Sequence, residues 1–373
     1  MPVPLLDLHA QHRTIRDDVL KAVMKIVDDQ TFILGAPVEQ LEKAVAELSG
    51  TQHAIGCANG TDAILLALRA LDVGRGDEVV TTPFTFFATA GAIHNVGATP
   101  VFVDIDSATF NLSVDAVGAA ITSKTRAVIP VDLFGQMAPI DEIAAAAKGM
   151  PIIEDAAQSI GARRKVDGRW SMAGERATIG TFSFYPSKNL GGAGDGGMMV
   201  TQDAALATRL RRLRTHGGSK QYFHDEVGYN SRLDALQAAV LLAKLPHLAG
   251  WSQKRRDHAR YYDAAFAGMA EVRTPVIEPG NESIYNQYTV RVDRRDDLMA
   301  HLKSKGIGSA IYYPLPLHLQ PCFGYLGYAA GAFPESERAA AEVLSLPVYP
   351  ELSRAQQDET IAAIRDFYFK PGS

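Results

Sequence analysis

The sequence predicts an α/β protein with a large lobe on a mostly parallel mixed sheet and a smaller C-terminal α+β lobe. Three observations carry this. Short Val- and Ile-rich runs (EVVTTP, TPVFVDID, AVIPVDLFG, PIIEDAA) alternate with segments of helical apolar spacing through the first 160 residues, as parallel strands joined by helical crossovers do. Each run is continuously apolar, as strands covered on both faces are. After Ala157 the pattern breaks: ATIGTFSFYPSKNLGGAGDGGMMVT reads as strand, glycine-rich turn and strand with no helix between, so the sheet departs there from simple βαβ winding.

Helices are expected over 12–29 and 37–49, with Gly35 and Pro37 between them, and then from near Thr61, over Thr89–Val96, Val114–Ile121 and Ile140–Lys148. Further helical spacing covers 202–215 and 231–271, where Pro246 should kink the second segment. We place a domain boundary there, giving 1–245 for the N-terminal helices and large lobe and 246–373 for the small one. In the small lobe YNQYTVRV and SAIYY read as strands, LMAHLKSKG as a helix, and Gln356–Phe367 as a terminal helix.

A chain of 373 residues exceeds what one hydrophobic core usually supports, which agrees with two lobes. With 47% hydrophobic and 21% charged residues the composition is that of an ordinary globular protein. The net charge of −5 and the dispersed Lys and Arg, clustered only over Arg209–Arg214, give no nucleic-acid footprint. Two distant cysteines, Cys57 and Cys322, form no disulfide framework and are too few for an iron–sulfur cluster. The N-terminal residues acquire Asp7 and two histidines before any signal-like apolar stretch, and no run approaches a membrane span. A cytoplasmic location is the expectation.

Lys188 has an unusual setting. The apolar segment Phe182–Tyr185 delivers it into a loop holding Gly191, Gly192, Gly194, Gly196 and Gly197. Glycine permits close backbone approach to a ligand, and a lysine beside apolar surface becomes a nucleophilic amine. The same residues also suit a solvated lysine on a tight hairpin. Asp155 ends the strand in PIIEDAAQS, where side chains reach a ligand at the carboxyl edge of a parallel sheet. A carboxylate there can pair with a protonated pyridine nitrogen and keep the ring an electron sink, or it can cap the next helix. Neighbouring Glu154 should face the other way. NGTDA, residues 59–63, opens a helix and can hold a phosphate or simply supply an N-cap. Phe86 in PFTFFATA can stack on a ring or belong to the core.

Other motifs fail on context. GAGDGG, Gly192–Gly197, matches GxGxxG but precedes a strand rather than a helix, so it is no dinucleotide fingerprint. No GxxxxGK[ST] loop and no HExxH pair occur.

CANGTDAILLAL, PFTFFATAGAI, EDAAQS, SFYPSKNLGGAGDGG, VGYNSRLDALQAAVL and YYPLPLHLQP follow one another in this order. Together they resemble the DegT/DnrJ/EryC1/StrS aminotransferases, sugar aminotransferases dependent on pyridoxal 5'-phosphate (PLP) with the aspartate-aminotransferase type I fold. The resemblance runs from LLDL near the start to SLPVYP near the end. It implies that Lys188 is the Schiff-base lysine, that Asp155 pairs with the pyridine nitrogen, and that Gln158 contacts the phenolic oxygen. It also implies that Gly60, Thr61 and Ser183 hold the phosphate and that Phe86 stacks on the ring. Asn230 would reach the phosphate of a neighbouring subunit, making the active unit a homodimer. Arg232 and Tyr313 match positions lining the sugar-nucleotide pocket; by themselves they read more readily as a surface ion pair and a packed tyrosine.

Within the family, GAGDGG, HGGSKQYFHDEVGYNSRLD and NQYTVR look closest to enzymes that aminate UDP-linked 3-keto sugars of the N-acetylglucosamine or uronic acid type, with L-glutamate as implied donor. Two positions depart from the family's pattern. Tyr312 stands where several relatives have histidine, which bears on the substrate pocket, and GDGG replaces the commoner GEGG. The alternatives are a dTDP- or UDP-4-keto-sugar aminotransferase, a PLP-dependent sugar dehydratase, which the retained lysine and missing thiols disfavour, and a non-catalytic regulator that keeps only the fold.

Overall fold

The computed structural model describes residues 2–369. Helix α1, Leu8–Asp29, opens on Asp7, whose carboxylate accepts the Ala10 N–H at 2.9 Å. Helix α2, Ala36–Leu48, starts after Gly35 with Pro37 in its first turn. Both lie within two residues of expectation except the start of α1, which begins four residues earlier because Asp7 caps it.

The large sheet takes strand β1, His53–Cys57; helix α3, Gly60–Ala70; then β2, Glu78–Thr81; β3, Thr99–Phe102; β4, Thr125–Ile129; and β5, Ile153–Asp155. A hairpin that sequence reading passed over, β6 (Arg163–Val166) with β7 (Arg169–Met172), precedes β8, Ile179–Ser183, and β9, Gly197–Thr201. Hydrogen bonding orders two groups, β3-β2-β4 and β5-β8-β9-β1. Parallel bridges Val128–Ile152 and Val131–Asp155 join them into one sheet. Only β9 runs antiparallel, against both β1 and β8; the glycine turn without a helix required this. Strand β1 was not read as a strand.

Side chains alternate across the sheet. Val79, Ile129, Ile153 and Met199 pack with Ile64 and Leu68 of α3 and with Leu210 on one face. Val80, Val128 and Ile152 meet Val117, Ile140 and Ile143 on the other, and Phe182, Met198 and Val200 meet Val38, Leu41 and Val45 of α2. Burial on both faces explains the unbroken apolar runs.

Past β9, helices Ala204–Leu213, Ala235–Lys244 and Leu248–Phe266 appear, the last two separated by a single 3-10 turn at Pro246. A second core gathers Tyr262, Phe266, Tyr288, Val290, Leu298, Leu344, Leu346 and Ile364, with Val3 joining it from the N-terminus. Its sheet pairs Tyr288–Val292 with Val272–Arg273 and with Val343–Leu346, neither of these two flanking strands having been expected. The terminal helix spans Arg354–Phe369.

SAIYY is not a strand. Only Ala310 pairs, with Ser345, because the chain then turns to seat Tyr312 and Tyr313 against Phe84, Phe110 and Phe134, and Pro314 offers no N–H to extend a ladder. Among the described residues no helix is long and apolar enough to cross a membrane, and no cluster of His, Cys, Asp or Glu could hold a metal ion.

Candidate active site

Every strand of the large sheet except β9 runs the same way, so the carboxyl ends of β1, β5 and β8 meet at one edge. Asp155 closes β5 in register with Thr181 of β8, and Ser183 lies two residues further along the same face, about 7 Å away along the strand. Residues 59–62 leave β1 at the same edge. A ligand placed there touches three segments distant in sequence.

Asp155 is buried, and its Oδ2 accepts the Thr89 hydroxyl at 2.8 Å while Oδ1 accepts the Ala157 N–H at 3.3 Å. Burial pushes its carboxyl upward; Thr89, Ala157 and the nearby Lys188 charge oppose that. Lys188 is half-buried after the turn closed by its N–H on the Tyr185 carbonyl at 2.9 Å. Burial lowers its amine to about 8, with Asp155 pulling the other way. A half-buried amine under the influence of buried Asp155 suits a nucleophilic lysine better than a freely solvated loop lysine.

The loop carrying Lys188 is pinned from several sides. Asn189 donates to the Ile284 carbonyl at 3.0 Å, Lys244 to the Gly191 carbonyl at 2.6 Å, and the Ala193 N–H to Gln237 at 2.8 Å. Its glycines answer to packing rather than to ligand approach alone: a Cβ on Gly197 would lie 2.3 Å from the Asn59 carbonyl oxygen. That contact holds the loop against the first turn of α3.

Asn59 caps α3 by accepting the Asp62 N–H at 2.8 Å. The cap and anion readings of NGTDA coexist, since the N–H groups of Gly60 and Thr61 still meet no acceptor among the described residues. A Cβ on Gly60 would approach Ser183 Cβ to 2.7 Å. Gly60 thus lies tight against Ser183, and a side chain there would crowd the free N–H groups of Gly60 and Thr61.

Gln158 accepts the Phe134 N–H at 2.6 Å and donates from Nε2 to the Tyr313 hydroxyl at 3.1 Å. Burial, more than any other influence, raises the Tyr313 phenol. The Phe86 ring lies 6.1 Å from that of Tyr313 and stays 58% exposed; a core residue would not. Pairwise contacts therefore link Phe86, Tyr313 and Gln158, and Gly60 with Ser183, near the sheet edge where Asp155 acts on Lys188. Asn230 and Arg232 stand apart: Ser231 between them bonds Asp62 at 2.7 Å, yet the structure gives neither side chain a hydrogen bond or ion pair among the described residues.

Sequence reading missed Thr89, Phe134 and Gln237. Thr89 lies within PFTFFATA and was in view as a helix residue; the other two hold the site through contacts at long chain separation.

The model of the DegT/DnrJ/EryC1/StrS aminotransferase family matches residues 13–365. The chain belongs to this family. It is 50% identical over 99% of its length to a pleiotropic regulatory protein of Geobacillus stearothermophilus, 99% of which is covered. It is 47% identical over 97% of its length to the UDP-N-acetyl-3-dehydro-alpha-D-glucosamine 3-aminotransferase of Acidithiobacillus ferrooxidans, 96% of which is covered. In structure it is similar to S. venezuelae DesV, crystallised with a ketimine intermediate, with a TM-score of 0.95, 40% identity and 98% of both chains covered. The family's fold, a mixed sheet of mostly parallel strands with α/β architecture, is the one described above.

Proposed function

We propose that the protein is a PLP-dependent aminotransferase that moves an amino group from L-glutamate to a UDP-linked 3-keto-hexose, of the N-acetylglucosamine type or its uronic acid, giving a 3-amino sugar. The observation that carries this reading is the Lys188 amine beside buried Asp155 at the carboxyl edge of the sheet, in a chain similar over nearly its whole length to a 3-keto-sugar aminotransferase.

The residues fit the cofactor. Gly60, Thr61 and Ser183 would hold the phosphate at the positive end of α3, Phe86 would offer a free ring face, Asp155 would pair with the ring nitrogen, and Gln158 would contact the phenolic oxygen. When bound, the cofactor withdraws electrons from the carbon that loses or gains a proton. Lys188 holds the cofactor covalently between turnovers; once displaced, its amine carries a proton between the donor carbon and the cofactor carbon. The same amine then serves the keto-sugar in reverse order.

Neutral amine is the reacting form, so capture of PLP by apoprotein is expected to quicken about tenfold per pH unit up to about 8 and level off above it, where Lys188 is deprotonated. Stopped-flow absorbance measures this; a rate still climbing at pH 10 would contradict the lowered amine. Gly60→Ala puts a Cβ against Ser183 and is expected to weaken PLP binding roughly 100-fold, about two powers of ten for a lost phosphate seat. Titration of apoprotein reads it, and unchanged affinity would remove the phosphate from this site.

A homodimer with shared sites is supported by what the single chain leaves open. Asn230 and Arg232 have no side-chain hydrogen bond or ion pair among the described residues, and Ile33, Tyr222 and Val227 are 57%, 86% and 85% exposed. A second copy covers such apolar groups and supplies Asn230 to the phosphate, while Arg232 and Tyr313 line the sugar-nucleotide pocket. We place the enzyme in the cytoplasm, where sugar nucleotides are made. The lobes are divided near residue 245, with Val3 crossing back to the second core.

Assay of 3-keto and 4-keto sugar nucleotides with glutamate tests the substrate. A preference for 4-keto substrates would overturn the 3-keto assignment but not the chemistry. A purified protein that neither carries colour nor takes up PLP would instead support a purely regulatory role.

A further inference from the structure

Glu154 is one residue from Asp155 and points to the opposite side of β5, where sequence reading left it a structural role. A second acid lies on that side. Both Glu154 and Asp132 are fully buried. Glu154 Oε2 accepts the Gly174 N–H at 3.0 Å, whereas Oε1 is buried and meets no donor among the described residues. Asp132 is better supplied: Oδ1 accepts the Ala138 N–H at 2.8 Å and Oδ2 the Ser159 hydroxyl at 2.6 Å. The parallel bridge Val131–Asp155 and the Asp132 N–H on the Asp155 carbonyl put the Asp132 and Glu154 side chains on the same side of the sheet, on neighbouring strands.

Two neighbouring carboxylates held out of water do not both keep their charge. The neighbouring charged groups that act most on them are also acidic, Asp155 on Asp132 and Asp141 on Glu154. Asp132, with two good donors, is the group to stay ionised. Glu154 has an oxygen to spare for a proton, and a protonated carboxyl is the donor its Oε1 otherwise lacks. Burial raises the Glu154 carboxyl well above its ordinary range, and the Asp132 charge adds to this.

What Asp132 touches makes the pair relevant to the cofactor. Ser159 follows Gln158 directly. The segment from Leu133 to Ala138 contains Phe134, whose N–H caps Gln158 Oε1. Asp132 therefore braces the segments that flank Gln158, through Ser159 on one side and Ala138 on the other, while Nε2 of Gln158 donates to Tyr313. The Asp132 N–H also donates to the Asp155 carbonyl at 3.0 Å, and the Asp155 N–H to the Pro130 carbonyl at 2.9 Å.

We propose that Glu154 and Asp132 share a single proton as a buried positioning pair, neutral Glu154 donating to ionised Asp132, which orients Gln158 and the backbone of Asp155 toward the cofactor. Neither is a catalytic residue. The positioning half of the inference rests on the reading of Gln158 and Asp155 as PLP contacts; the shared proton does not.

Two measurements test it. The infrared spectrum of wild-type holoenzyme at neutral pH is expected to contain a protonated-carboxyl stretching band that disappears in Glu154→Gln, and a wild-type spectrum without that band overturns the shared proton. The affinity of each apoprotein for PLP, and the circular dichroism of the bound cofactor, read the positioning. Gln keeps both an acceptor for Gly174 and a donor for Asp132, so Glu154→Gln is expected within ~2-fold of wild type, while Glu154→Leu and Asp132→Asn weaken PLP at least ~10-fold and alter its dichroism, the scale on which groups behind a binding shell act. Equal losses in Glu154→Gln and Glu154→Leu, or an Asp132→Asn protein indistinguishable from wild type, overturn the proposal. Should the leucine variant fail to fold, the glutamine variant and the infrared band still decide. A wild-type protein that binds no PLP would defeat the cofactor reading, leaving the band to judge the proton.

Discussion

Lys188→Ala is expected to slow amino transfer by roughly four orders of magnitude or more, the combined effect of removing the covalent anchor and the proton carrier. Its amine sits beside Asp155 and is held near neutrality by burial. The fold should survive, because the loop is fixed by Asn189, Lys244 and Gln237 rather than by the Lys188 side chain. The variant should still bind PLP through the phosphate, without the absorbance of the lysine-bound form. Single-turnover reaction with glutamate measures the loss. Near-normal turnover in a variant that binds PLP would sink the assignment of Lys188.

Asp155→Asn should produce the second largest effect, a fall of about 1,000-fold in the glutamate half-reaction, the upper range for removing one preorganised electrostatic partner. Asparagine keeps the shape and can still accept from Thr89, so folding is little disturbed. What disappears is the negative charge that would hold a proton on the pyridine nitrogen. Burial alone would favour a neutral Asp155; Thr89, Ala157 and Lys188 act against that. A loss below about 10-fold would mean that the charge does not serve catalysis, given the size expected of such a partner.

Much of the large lobe was legible because its strands are buried on both faces: four apolar runs and the helices between them can be read without knowing the partners. The turn from β8 to β9 was legible for a different reason, since no helix fits into a stretch so rich in glycine. The hairpin Arg163–Met172 was not, because its strands are polar and half-exposed and lack the apolar periodicity that marks a strand. SAIYY failed in the opposite direction. Its β-prone residues satisfy local propensity, but Tyr312 and Tyr313 gain more from packing against Phe84 and Phe110 than from extending a sheet edge.

For the site, the ordered motifs singled out Lys188, Asp155, Gln158 and the NGTDA segment as candidates, because chemistry restricts which residue types can stand there. They could not show that Thr89 supports Asp155 or that Phe134 caps Gln158, since those contacts join residues 66 and 24 positions apart and depend on strand order. The glycines changed meaning as well. By itself the sequence determined that glycine was required around Lys188; only the tertiary structure decided why, since at Gly197 and Gly60 the space a Cβ would occupy belongs to Asn59 and Ser183, and which segments crowd one another is set by how β1, β8 and β9 pair.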